Sequence, residues 1–254
     1  MTDRPAGSGT GSAGSPWIQP RFIAAAGVVG LIAVLGVGLA VIPGGDKHSE
    51  PAQAAPATAA PGVPTEGAPP TDPASSICGL PAGDQTVPSA APKATKWELV
   101  GTMAVPTAPK QLGPGKVTAG LRSCFAHSPT GALYAASSFV AMVNLPATRV
   151  AAAKSLTAAG PDRETFIGET VATTAGATPG IQIGGFRVLN YSPTITTIDL
   201  GLKVITSTAV GYAHTVLTMR WEDRDWKAEA PPTGQQSPTQ VLPSLAGYLP
   251  WTGV

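Results

Sequence analysis

The sequence predicts an α+β domain in which N-terminal helices pack on one face of a curved antiparallel sheet of about four strands. Two observations support this fold class. The spacing of apolar residues changes from a helical period to alternation after Gly180. The helical segments also precede the strands instead of alternating with them, which is typical of α+β domains. We expect the domain to occupy residues 78–254, after a tail (1–21), a transmembrane helix (22–42) and a linker (43–77).

Residues 22–42 form a long apolar segment that predicts a membrane anchor. Their sequence, FIAAAGVVGLIAVLGVGLAVI, contains 21 residues and no charged or polar side chain. A helix of this length spans about 31 Å, which matches the hydrocarbon core of a bilayer. The apolar core of a cleavable signal peptide, the alternative, is usually only about 7–15 residues long. We therefore expect a single-pass anchor that is retained in the mature protein.

The charges that flank this segment predict its orientation. Arg4 and Arg21 precede it, whereas Lys47 follows it together with Asp46 and Glu50. The excess of arginine on the N-terminal side places the N-terminus in the cytoplasm. The large C-terminal domain is then extracytoplasmic.

Small side chains recur along one face of the predicted anchor, at alternating steps of four and three residues. They are Ala26, Gly30, Ala33, Val37 and Ala40. Such a face lets two membrane helices approach closely, so self-association through the anchor is one hypothesis. The alternative, which we favour slightly, is that the stripe reflects the general abundance of Ala and Gly in this chain.

The segments on either side of the anchor lack the composition of folded domains. Residues 1–21 are rich in Gly, Ser, Thr and Pro, and we expect a disordered tail. Residues 43–77 contain eight prolines and eight alanines, which favours an extended, polyproline-like linker. At full extension these 35 residues would reach roughly 110 Å, which would hold the outer domain away from the membrane.

Cys78 and Cys124 are the only cysteines of the chain, and both lie in the predicted extracytoplasmic part. An oxidising compartment makes a disulfide between them the expected state. Such a cross-link contributes up to about 4 kcal/mol by restricting the unfolded chain, and it would pin residues 79–95 against the domain. The alternative, a reactive thiol at Cys124, has only His127 nearby in sequence to support it.

Three helices are predicted after the second cysteine. Ser128 can cap the first of them and Pro129 suits its first turn. Its apolar face consists of Leu133, Ala136, Phe139, Val140, Met142 and Val143, and it ends near Pro146. A second helix is predicted over 147–159, before Gly160-Pro161, and a third, weaker one over 162–175.

Four strands are predicted after the change of period, over residues 181–191, 194–207, 212–221 and 226–230. The turns fall at 190–193 and 206–211. Trp221 and Trp226 flank the charged stretch 222–225, which we interpret as the solvated turn of the last hairpin.

The pattern of three helices and a meander ending in W-x-D-x-D-W-K, residues 221–227, resembles the cone-shaped fold of the nuclear-transport-factor-two and cystatin-like superfamily. The resemblance covers roughly residues 124–231. Residues 97–136 are similar to actinobacterial membrane-anchored proteins of integrative conjugative elements. The plan of tail, anchor, linker and outer cone is also that of the inner-membrane assembly subunits of type IV secretion machines.

This resemblance implies a non-enzymatic scaffold in a DNA-transfer channel, with other channel subunits as partners. Two features depart from the secretion subunits: the cysteine pair and the long Pro/Ala-rich linker. No partner-binding motif can be transferred residue by residue.

Catalysis is the second class of function to consider, because some cone-shaped domains are isomerases or dehydratases. Such enzymes place a carboxylate or a histidine inside the cone, and the candidates here are His127, His214 and Asp199. The chain contains no G-x-S-x-G, H-E-x-x-H, S-x-x-K, Walker or dinucleotide-binding motif. We therefore expect no catalytic residues, no metal and no cofactor.

A third possibility is an extracytoplasmic domain that binds a small apolar molecule or a cell-wall fragment. An open apolar pocket inside the cone would favour binding, whereas a cone filled by side chains would favour a scaffold. The net charge of +1, with only 12% charged residues, gives no basic surface for direct nucleic-acid binding.

Overall fold

The computed structural model describes residues 75–93, 95–173, 180–233 and 239–253, all of which belong to one compact unit, Pro64–Val254. The predicted tail, anchor and small-residue face lie outside the described residues, as does nearly all of the predicted linker. Among the helices of the described part, none is long and apolar enough to cross a membrane.

Two short β-hairpins and three helices precede the main sheet. The hairpins are formed by β1 (Lys96–Val100) with β2 (Met103–Thr107) and by β3 (Lys116–Thr118) with β4 (Leu121–Ser123). The helices are α1 (Pro129–Asn144), α2 (Arg149–Leu156) and α3 (Arg163–Ala172). The predicted α+β class is therefore confirmed, although two hairpins come before the helices.

The main sheet is antiparallel and has six strands, in the order β10-β5-β6-β7-β8, with β9 also paired to β7. The strands are β5 (Gly180–Tyr191), β6 (Ile195–Ile205), β7 (Val210–Glu222), β8 (Asp225–Ala228), β9 (Gln240–Leu242) and β10 (Leu249–Pro250). The first four match the predicted strands within a few residues. The two additional strands are too short to give an alternating pattern.

Helix α1 begins as the sequence predicts. The Ser128 hydroxyl accepts a hydrogen bond from the Gly131 amide at 3.0 Å, and Pro129 occupies the first turn. The helix is buried on almost all sides, because it packs on the main sheet and also on β2 and β4. Its apolar side chains and the inner side chains of β5–β8 form one core. We call this side of the sheet the inner face and the opposite side the outer face.

The C-terminal segment wraps around the β5 edge of the sheet. Tyr248 lies on the outer face, β10 extends the edge, and Trp251 returns to the core. Gly201 permits this path, since a Cβ atom there would come within 2.9 Å of the Leu245 and Tyr248 side chains. The segment therefore covers part of the outer face.

Candidate functional site

Four polar side chains meet on the outer face and form the candidate site. Arg187 on β5 lies directly opposite Asp199 on β6, and His214 on β7 lies opposite Gly201. Side chains two residues apart on a strand share a face, so Asp199 and His214 are diagonal neighbours. The C-terminal segment adds Tyr248. We call these four residues the Asp199 cluster.

The Asp199 carboxylate is the centre of the cluster and is only 1% exposed. Its Oδ1 lies 2.9 Å from Nδ1 of His214. Its Oδ2 accepts hydrogen bonds from the Tyr248 hydroxyl at 2.9 Å, from Arg187 Nε at 3.2 Å and from Arg187 Nη2. The guanidinium of Arg187 also lies over the Tyr248 ring, 4.3 Å from its centroid. Both carboxylate oxygens thus have partners within the protein.

Burial and the neighbouring carboxylate fix the protonation of two members of the cluster. Burial, followed by the hydrogen bond to Asp199, raises the pKa of Tyr248 to about 12. The hydrogen bond to Asp199 also raises the pKa of Arg187. The tyrosine therefore remains a hydrogen-bond donor and the arginine a cation at neutral pH. The cluster thus joins the sheet to the C-terminal segment through hydrogen bonds from both groups.

A carboxylate bound to Nδ1 of a histidine is the arrangement that orients an imidazole for general-base catalysis. Here the ring is 15% exposed, and the cluster lies against the segment that carries Leu245 and Tyr248. The structure brings Asp199 and His214 together, but on the outer face and not inside the core.

The third candidate, His127, lies apart from this cluster at the start of α1. Its ring stacks on Trp221, with centroids 4.0 Å apart and planes 7° apart, and its Nε2 lies 2.5 Å from the Pro193 carbonyl oxygen. These contacts tie α1 to the β5–β6 turn and to the last hairpin. His127 is therefore placed as a packing residue.

The last hairpin differs from the prediction at one position. Asp223 and Arg224, with φ of 51° and 61°, form the two-residue turn between β7 and β8. Asp225, predicted to be solvated with them, is instead 7% exposed. Its carboxylate accepts hydrogen bonds from the amides of Cys124 at 2.6 Å and Phe125 at 2.9 Å. Burial raises the pKa of Asp225.

Cys78 and Cys124 form the predicted disulfide, with Cα atoms 6.0 Å apart. The Ser76 hydroxyl lies 3.2 Å from the Cys124 sulfur. Further along the N-terminal segment, Gln85 Nε2 donates to the His127 carbonyl at 2.7 Å. The Pro-rich segment after Cys78 is thus held against the domain, as the sequence predicts.

The space between α1 and the sheet is filled by side chains. Those that are at most 2% exposed include Leu133, Tyr134, Phe186, Ile198, Leu200 and Trp226. Two open depressions lie elsewhere. One, of about 420 Å³, is lined by Asn190, Tyr191, Ser192, Ile195, Thr197, Thr218 and Glu229. The other, of about 380 Å³, is lined by Ala91, Pro92, Thr95, Trp97, Pro250, Trp251 and Thr252.

The part of the chain that the structure describes contains no candidate metal site. No group of three or more His, Cys, Asp or Glu side chains in these ranges is placed to hold an ion.

Sequence reasoning missed Arg187 and Tyr248. The position of Arg187 opposite Asp199 follows from the register of β5 and β6, which the turn after Tyr191 sets. Tyr248 carries no such signal, because it reaches the sheet from a segment without periodicity.

The chain belongs to the family described as domain of unknown function DUF8175, whose model matches residues 54–250. No curated protein and no solved structure matches the chain. The family match begins at residue 54, within the predicted linker, and continues through nearly all of the described residues.

Proposed function

We propose that this protein is a non-enzymatic scaffold whose outer domain acts through contacts with other proteins. The observation that carries the proposal is the filled space between α1 and the sheet. In enzymes and ligand-binding members of the cone-shaped superfamily, the site lies at this interface, as the resemblance implies. Here Tyr134, Phe186, Leu200 and Trp226 occupy it, so a substrate would have to displace core side chains.

The fold gives the resemblance further support. Three helices precede the main antiparallel sheet, and α1 packs on one face of it, as expected for a cone-shaped domain. The Asp199 cluster lies on the face away from α1, whereas the catalytic groups of such enzymes point towards the helices. The geometry therefore favours a structural role for Asp199 and His214.

The setting that we propose is a conjugative DNA-transfer channel of the type IV secretion kind, with other channel subunits as partners. Residues 22–42 would anchor the protein in the cell membrane, with the N-terminus in the cytoplasm. This setting rests on the sequence resemblance and on the predicted anchor. The low charge of the chain agrees with protein partners rather than with direct nucleic-acid binding.

The test is the frequency of conjugative transfer from a donor strain that lacks the gene and is complemented with variants. Removal of residues 22–42 should abolish transfer, because the domain loses its location. His214→Gln and His127→Gln should stay within about threefold of the unmodified protein, since loss of a catalytic acid or base costs about 100-fold or more.

Protease resistance and an intact disulfide would show that each histidine variant is folded and present at equal amount. A folded His214→Gln variant that stops transfer would contradict the scaffold proposal. Unchanged transfer after deletion of the whole gene would instead contradict the channel assignment.

Binding of a cell-wall fragment is a second candidate, and the depression on the outer face favours it. Six of its seven lining residues carry hydrogen-bonding side chains. Thr197 and Thr218 lie directly opposite each other at its centre, and Glu229 is 37% exposed beside them. Co-sedimentation of the protein with purified cell walls, lost in Thr218→Arg but kept in Thr206→Arg, would support this candidate. Equal co-sedimentation of the two variants would contradict it.

A further inference from the structure

The depression of about 380 Å³ at the β10 edge is a groove between two chain segments. One wall is formed by Pro92, Thr95 and Trp97, and the other by Pro250 and Trp251. None of the described side chains that line it is charged. We call it the Trp97 groove.

The walls of the Trp97 groove are fixed to the core. Trp251 is 3% exposed, and its ring packs against Tyr134 and Phe186 with centroids 5.6 and 5.4 Å apart. Its indole N–H donates to the Thr95 hydroxyl at 3.2 Å, and that hydroxyl lies 2.7 Å from the Tyr134 hydroxyl. The groove is therefore preformed.

Trp97 supplies a hydrogen-bond donor that the described protein does not use. Its ring centroid lies 5.1 Å from that of Trp251, yet its Nε1 donates to no described group and is not among the buried atoms without a partner. The indole N–H groups of Trp226 and Trp251, in contrast, both donate within the protein. The Trp97 indole N–H thus has no acceptor among the described groups, and its ring lies beside an uncharged wall of proline and tryptophan.

These features match the recognition of a polyproline II segment. Such a segment has no internal hydrogen bonds, so its carbonyl groups can accept from an indole N–H. Its proline rings recur every third residue on one side and pack against aromatic rings in preformed grooves. The sequence of residues 69–73, PPTDP, favours this conformation, and its Pro70 and Pro73 have the P-x-x-P spacing.

We propose that the Trp97 groove binds residues 69–73 of a second copy of this chain. The same copy cannot supply the segment. The Ile77 amide donates to the Arg224 carbonyl at 2.8 Å, at the turn between β7 and β8. Pro250 of the groove aligns through Gly185 and Gly201 with His214 on β7, three strand spacings or about 14 Å away. The turn lies eight residues further along β7, about 26 Å, so the straight distance across the sheet is about 30 Å. Pro70, seven residues before Ile77, can extend only about 24 Å from it, and Pro73 only about 14 Å.

Such a contact joins the linker of one copy to the groove of the next and is therefore heterologous. Repetition of the contact gives a ring or an open row of domains. The inference goes beyond the proposed function, because it needs neither a channel nor any other protein.

Photo-crosslinking of the full chain tests the contact. A benzophenone amino acid would replace Ala91, which is exposed at the groove, in an equal mixture of unlabelled and ¹⁵N-labelled chains. We expect cross-links from position 91 to the peptide containing Pro70 and Pro73, with mixed isotopes. Absence of this peptide, or its recovery only with like isotopes after the copies have been unfolded and refolded together, would overturn the proposal.

Matched variants identify the groups involved. Pro70→Ala/Pro73→Ala should lower the mixed-isotope yield about tenfold, because it deletes ring methylenes and losing the burial of two methylenes already costs about that much affinity. Pro51→Ala/Pro56→Ala removes two prolines of the same linker that lack this spacing and should leave the yield unchanged. Equal yields from the two double variants would overturn the proposal, and neither changes the described domain.

Trp97→Phe keeps an aromatic ring but removes the donor, and it should lower the yield about threefold to tenfold. Trp221→Phe, in the stack with His127, is the control and should not change it. An unchanged yield with Trp97→Phe would overturn the role of the indole N–H.

Discussion

The inner face of the main sheet presents Phe186, Ile198, Leu200 and Leu202 to α1, whereas the outer face presents a carboxylate, a guanidinium, an imidazole and a phenol to one another. Both faces belong to the same strands, because successive side chains point to opposite sides. Apolar side chains pack wherever volume is available, so the inner face contributes most of the stability. The polar groups of the Asp199 cluster require defined partners, so the outer face fixes the path of the C-terminal segment.

The difference explains why a buried ionic cluster occurs in a domain that already has an apolar core. Replacing a buried ion pair with apolar residues is often neutral or stabilising, so the presence of the cluster is weak evidence that it increases the free energy of unfolding. Asp199 nevertheless binds Tyr248 through a hydrogen bond that a leucine could not make. The cluster thus selects one position for the segment that leads to β10 and the Trp97 groove.

The largest expected effect is on the inner face. Trp226 is 2% exposed and donates its indole N–H to the Ala126 carbonyl at 2.9 Å. Trp226→Ala should lower the free energy of unfolding by about 3–5 kcal/mol, because it leaves a cavity and an unpaired carbonyl. Urea unfolding followed by far-ultraviolet circular dichroism measures this change. Trp221→Ala, at a half-buried site on the same face, should cost less, and the reverse order would contradict the dependence of the loss on burial.

The Cys78–Cys124 disulfide belongs to neither face of the sheet. Its removal measures how much of the domain's stability comes from outside the two faces. The disulfide joins residues 46 apart in sequence. Cys78→Ser/Cys124→Ser should lower the free energy of unfolding by about 2–4 kcal/mol, mainly because the unfolded chain gains freedom. Because this gain is in the unfolded state, the circular dichroism spectrum of the folded variant should stay unchanged. A loss of less than about 1 kcal/mol would show that the segment after Cys78 is held by its other contacts.

The sequence predicts the inner face better than the outer face, for a physical reason. The cap at Ser128, the apolar positions of α1 and the alternation in β6 are local signals, and the structure confirms them. Asp225 shows where local signals fail. Its neighbours indicate a solvated turn, but the backbone amides that bind it belong to Cys124 and Phe125, about a hundred residues earlier. No local pattern contains that contact.

Removal of the central charge tests the outer face. Asp199→Asn should lower the free energy of unfolding by about 1–3 kcal/mol, because it weakens the hydrogen bonds to charged and neutral donors. The guanidinium of Arg187 is 42% exposed and can regain water, which limits the loss. Tyr248→Phe removes a single hydroxyl and should cost about 0.5–1.5 kcal/mol.

The outer-face variants should also free the C-terminal segment, which limited proteolysis near residue 246 would detect. Trp226→Ala is the control for a general loss of stability. Faster cleavage in Asp199→Asn and Tyr248→Phe than the loss of stability in this control accounts for would support the role of the cluster in positioning the segment. Unchanged cleavage in Asp199→Asn would contradict the proposal that the outer face fixes the path of the C-terminal segment.

The smallest effect concerns the other buried carboxylate. Asp199 is buried with a cation beside it, whereas the hydrogen bonds of Asp225 come from the backbone amides of Cys124, Phe125 and Trp226. Burial raises the pKa of Asp225 above its ordinary value of 3.8, so the folded protein binds this proton more readily than the unfolded chain does. The resulting stabilisation is fully present below pH 3.8 and is lost as the pH rises through the folded-state pKa.

Relative to Asp225→Asn, which cannot titrate there, the unmodified protein should therefore gain stability as the pH falls from about 7 to about 4. Urea midpoints of both proteins across this range measure the difference, and the shared titration of all other groups cancels. A relative loss of stability on acidification would mean that the three amide hydrogen bonds outweigh burial and hold Asp225 as a carboxylate.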